Sequence, residues 1–68
     1  MMSELDEARA RLDRAADEMQ EVFLSVVALR ADPERHARAI VEQFGPAHAA
    51  WVVAGIEVAT IEAEASRK

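Results

Sequence analysis

Residues 46–61, Pro46-Ala-His-Ala-Ala-Trp51-Val-Val-Ala-Gly55-Ile-Glu57-Val-Ala-Thr-Ile61, decide how this chain folds. Glu57 is the only charge among them, so a helix here has almost no polar face before Glu62. Val52, Ile56, Ala59 and Ala63 recur at helical spacing as one apolar stripe. Trp51, Ala54, Val58 and Ile61 make a second. A helix that is apolar around its circumference is buried around its circumference. One short helix and half of a long one cannot cover both stripes within 68 residues, so something further covers the remainder. Gly55 adds to this. A mid-helix glycine costs about 1 kcal/mol against alanine. Beside Trp51, and with Ala54 and Ala59, it marks a close helix crossing, within the chain or across a two-fold axis.

Upstream, Gly45-Pro46 reads as a helix stop and restart, which sets the third helix at about 46–65. Its end trails into Arg67 and Lys68, cations suited to a helix C-terminus. Asp32-Pro33-Glu34 is a start signal, with an N-cap carboxylate, a proline in the first turn and an acid at the positive helix end. It opens a short second helix at 33–44, with Ala37, Ile40, Val41 and Phe44 on one face. The first helix spans about 4–30, capped by Ser3 with Asp6 at the third position. Arg30 suits its C-terminus. Its apolar residues fall on a heptad, Leu5, Leu12, Met19 and Val26 alternating with Ala8, Ala15, Val22 and Leu29. Val22 to Leu29 is apolar on most sides, so that half is expected in a core and the first half is expected to project.

The fold expected is all-α, a three-helix open bundle (long, short, medium) in a single domain, 1–68, completed by homodimerisation. Such a short chain buries only about 60% of its unfolded surface. Small domains compensate with disulfides, a metal or oligomerisation. There is no Cys, and only His36 and His48 are available as imidazole ligands. Glu34 and His36 stand two apart and do not share a helix face. No Gly-rich phosphate loop or nucleophile motif is present. No catalytic, metal or cofactor-binding residue is therefore assigned, and no cofactor. His36 is expected to be exposed near a turn, and His48 in the first turn of the third helix.

With a net charge of −5 the chain is a poor ligand for phosphate backbones, so nucleic acid is not an expected partner. The arginines are interleaved with acids, as solvated helix faces with pairs such as Glu7–Arg11 and Glu34–Arg38. The acidic start is no signal peptide, and Ala47–Ile61 is short of the ~20 apolar residues of a membrane span. A cytoplasmic protein without membrane contact is expected.

The function expected is that of a small non-enzymatic regulatory or adaptor protein, an inhibitor or anti-repressor type of factor, acting on itself and another protein. Its interface is placed at Met19, Val22, Phe23, Val26, Phe44, Trp51, Val52, Gly55, Ile56 and Ala59. An alternative is a DNA-binding helix-turn-helix across Gly45-Pro46, although the helix after the turn begins without Arg, Lys, Asn or Gln to read bases. A further alternative rests on architecture alone. The order of helix lengths loosely resembles small dimeric helical chorismate mutases, which would make Arg9, Arg11, Arg30, Arg35 and Arg38 anion ligands.

Overall fold

The computed structural model describes residues 3–67. It contains α1 (Glu4–Val27), α2 (Pro33–Ala39), a π-helical segment (Ile40–Phe44) and α3 (Gly45–Ser66), with no strand among the described residues. The last three run together as one helix, Pro33–Ser66, of 34 residues. The molecule is thus a two-helix hairpin.

Local chemistry explains the ends. Asp6 N–H donates to Ser3 Oγ at 3.1 Å, and Ser3 N–H donates to Asp6 Oδ2 at 3.4 Å, a reciprocal capping box. Glu4, Asp6 and Glu7 lie in the first turn, at the positive end of the helix. α1 stops at Val27, short of the expected Arg30, because its last bonds tighten to three-residue spacing, Leu29 N to Val26 O and Arg30 N to Val27 O. Arg30 Nη1 then donates to Val27 O at 3.3 Å. Asp32 caps α2 as expected, its carboxylate accepting from Arg35 N at 3.2 Å with Pro33 in the first turn. Arg67 follows the end of α3, and Lys68 lies outside the described residues.

His36 is half-buried, not exposed, and its Nδ1 donates to Val26 O at 2.9 Å. This bond straps the second arm to the end of the first. His36→Ala is expected to cost about 1 kcal/mol. That lowers the melting temperature by about 4–8 °C in a thermal unfolding scan.

Gly45-Pro46 does not stop the helix. Proline lacks an N–H and its ring crowds the carbonyl four residues back, here that of Glu42. The chain absorbs this by widening Ile40–Phe44 into π geometry, with Gly45 N–H bonded to Ile40 O. Gly45 itself is right-handed, at φ −53° and ψ −53°, so it is no left-handed C-terminal cap. The expected three helices are therefore two. The helix-turn-helix reading loses its turn, and the long-short-medium order behind the mutase-like reading is not what this chain forms. Pro46→Ala is expected to stabilise the protein by about 1–3 kcal/mol, since proline is unfavourable inside a continuous helix. A lowered melting temperature would instead indicate a turn that needs its proline.

The heptad of α1 is the seam of the hairpin. All eight positions from Leu5 to Leu29 are buried or half-buried, and α3 answers with Ala47, Ala54, Val58 and Ile61. Ala8 is 0% exposed, while Phe23 and Leu24 are 50% and 60% exposed. This reverses the expected order of the two halves of α1. The small side chain of Ala8 lets α3 approach, whereas the apolar circumference around Phe23 and Leu24 has only one neighbouring arm to pack on. The π segment also re-aims the face expected at Ala37, Ile40, Val41 and Phe44. Ala39 is buried instead, Ile40 and Val41 are exposed, and Phe44 is half-buried.

The hairpin measures 52 × 21 × 12 Å. Its thinnest dimension equals one helix diameter, about 10–12 Å with side chains. It is one layer thick. Its radius of gyration is 15.5 Å, against about 11 Å for a compact domain of this length.

Candidate functional site

Residues along a helix lie about 100° apart, so Gly55 and Val53 flank the buried Ala54 on opposite sides. Each side of the layer carries an open groove. The first, of about 380 Å³, is lined by Leu12, Trp51, Val52, Gly55, Ile56 and Ala59. The second, of about 420 Å³, is lined by Ala15, Ala49, Ala50, Val53 and Ala54 with Arg11 and Glu57 at its edge. A smaller one of about 140 Å³ lies near the turn, between Leu29, Arg35, Arg38, Ala39, Glu42 and Gln43.

Arg11 pairs with Glu57 across the arms instead of with Glu7. The hydrogen bond to Glu57 raises the guanidinium above its ordinary value, so it is held charged. Glu34–Arg38 forms as expected, at 3.7 Å.

A row of rings leads into the first groove. Phe23 of α1 lies 6.1 Å from Phe44, Phe44 stacks on His48 at 5.8 Å and 26°, and His48 lies 5.9 Å from Trp51. His48 is thus one ring of an aromatic ladder in the first turns of α3. Among the described residues no group of three or more His, Asp or Glu side chains converges as metal ligands would.

Five of the ten residues expected at an interface, Trp51, Val52, Gly55, Ile56 and Ala59, share the first groove. Phe23 and Phe44 adjoin it through the ring ladder. Met19, Val22 and Val26 turn into the hairpin's own seam, where Val26 is 4% exposed. Sequence reasoning missed Leu12, which was assigned to the seam alone but also lines the groove opposite Gly55. It also missed Leu24, Val41 and Val53, exposed by 60%, 73% and 64%. The uninterrupted apolar run around Val53 was the available signal.

Among the described residues, a Cβ built on Gly55 would meet only Leu12 Cδ1, at 4.0 Å, an ordinary contact. Packing inside the chain therefore does not require glycine there, although a mid-helix glycine costs about 1 kcal/mol against alanine. The tight crossing expected around Gly55 is not found between the two arms.

The helix Pro33–Ser66 is long and apolar enough to cross a membrane by length and composition, with a mean hydropathy of 1.3 over its most apolar window, of which 11% is buried. The apolar stretch expected at Ala47–Ile61 is thus part of a longer helix. In this hairpin, however, that helix lies against α1, whose outward face carries Asp6, Asp13, Arg14, Asp17 and Glu21, all exposed. A charge in hydrocarbon costs several kcal/mol, so immersing the whole hairpin in a bilayer would carry that cost for each of them.

Compared with known proteins, the chain matches no family model, no curated protein and no solved structure.

Proposed function

We propose that this chain is a small non-enzymatic regulatory or adaptor protein that works by protein–protein contact, with a homodimer as its folding unit. One observation carries the reading. The protein is a single layer of two helices, and the apolar back of α3, with Val52, Val53 and Ile56 exposed by 38%, 64% and 61%, has nothing packed on it among the described residues. Stable domains bury such faces between at least two layers. A second copy supplies the missing layer and makes a four-helix bundle.

The grooves favour contact over chemistry. They are open, and their lining residues include no nucleophile beside a base. The acidic surface of α1 would remain outside, available to a further protein partner, and the net charge of −5 disfavours nucleic acid. An inhibitor or anti-repressor type of factor is the role such a module fits.

Association that stabilises only the folded state makes unfolding depend on concentration. The melting temperature is expected to rise across a dilution series from low to high micromolar protein. A melting temperature independent of concentration, with cooperative unfolding, would sink the dimer reading.

A further inference from the structure

We infer that the second copy docks on the Gly55 groove, with the two α3 helices antiparallel and crossing at Gly55. The inference rests on the self-association proposed above and adds the face, direction and register.

Area comes first. The chain exposes 5247 Å², whereas a compact protein of its mass exposes about 4,200 Å². The surplus of roughly 1,000 Å² per copy matches the ~800 Å² per partner of a standard stable interface. Gly55 selects the face. It lies in the groove with Trp51, Val52, Ile56 and Ala59, and nothing in its own chain needs its missing side chain. The absent Cβ is explained by close approach of a helix from outside. The opposite groove is lined mainly by alanine and edged by the Arg11–Glu57 ion pair, which would have to be desolvated there.

Direction follows from which groups the two ends of the stripe would meet. His48, Val52, Gly55, Ala59 and Glu62 recur at four-and-three spacing and form one continuous stripe along this side of α3. An antiparallel pair centred on Gly55 sets residues equally far before and after it opposite one another. Seven residues before Gly55 is His48, and seven after is Glu62, so each His48 faces the partner's Glu62. Four residues before is Trp51, which lies over the partner's Ala59, large against small. A parallel pair would set Glu62 against Glu62 and Trp51 against Trp51.

The chain has no cysteine, so introduced thiols report these pairings cleanly. Chains carrying His48→Cys and Glu62→Cys are mixed, refolded together and oxidised, and sedimentation of the unaltered protein is measured alongside. Disulfides between unlike chains are expected, with few between like chains. Like-chain disulfides at both positions would mean a parallel pair and overturn the inference. A dimer with no disulfide in either combination would place the contact on another face, overturning the inference while sparing self-association. A monomer would remove both. Gly55→Ala is the second variant, since the hairpin accommodates its methyl. It is expected to weaken self-association about tenfold, as overpacking a close crossing does. Unchanged or tighter association would overturn the crossing at Gly55.

Discussion

Val52→Glu combined with Ile56→Glu is expected to turn the self-associated protein into a monomer that has lost most of its helix. In the single chain these side chains are 38% and 61% exposed. Glutamate is a better helix former than either valine or isoleucine. An isolated hairpin would therefore tolerate the changes within a few tenths of a kcal/mol or gain slightly, as exposed helix sites do. In a dimer the same changes bring four carboxylates into an apolar seam. Each uncompensated buried charge costs several kcal/mol. Their sum exceeds the ~5–15 kcal/mol that holds a small domain together. Sedimentation velocity and far-UV circular dichroism read the two outcomes, which differ in sign as well as size.

Val58→Asp is expected to unfold the hairpin whichever surface associates. Val58 is 7% exposed, in the seam between α3 and α1. An aspartate there loses its water while adding one more acid beside Glu57, which already holds Arg11. Burying such a group costs several kcal/mol, a large part of the stability of so small a chain. Val41→Asp is the matched control at 73% exposure. It is expected to change stability by no more than about 0.5 kcal/mol. Equal tolerance of both substitutions, read by urea titration, would show that the α1–α3 seam is not the core.

The start of the first helix and its buried seam were legible because they are written in local chemistry. Ser3 with Asp6 is a cap whose two hydrogen bonds need only neighbouring residues. The heptad from Leu5 to Leu29 names its own buried face. In α3 the two stripes were separable, and Ala54, Val58 and Ile61 of one of them turn toward α1, whereas Trp51 of the same stripe is exposed in the groove. What was not legible was the junction at Gly45-Pro46. The same dipeptide ends one helix and is threaded through another, and the difference lies in whether the preceding turn can widen. Here Ile40–Phe44 does so. Because the two helices became one, the second arm lies flat along the first and closes no bundle. For the same reason, Met19, Val22 and Val26 serve the hairpin itself, while Val53 joins the expected Val52 and Ile56 on the exposed surface.

His36 shows a second limit. Its bond to Val26 O joins residues ten apart in sequence, and only the path of the turn brings them together. Charge pairing is similar. Glu7 was the nearest acid to Arg11 on the same helix face, but Glu57 meets it across the hairpin.

The central claim is that one layer of two helices is incomplete and that a second copy of the chain completes it. Sedimentation equilibrium on the unaltered protein, from about one to several hundred micromolar with circular dichroism on the same samples, tests this most directly. A dimer whose dissociation on dilution is accompanied by loss of helix is the expected result. A fully helical monomer throughout that range would contradict the claim.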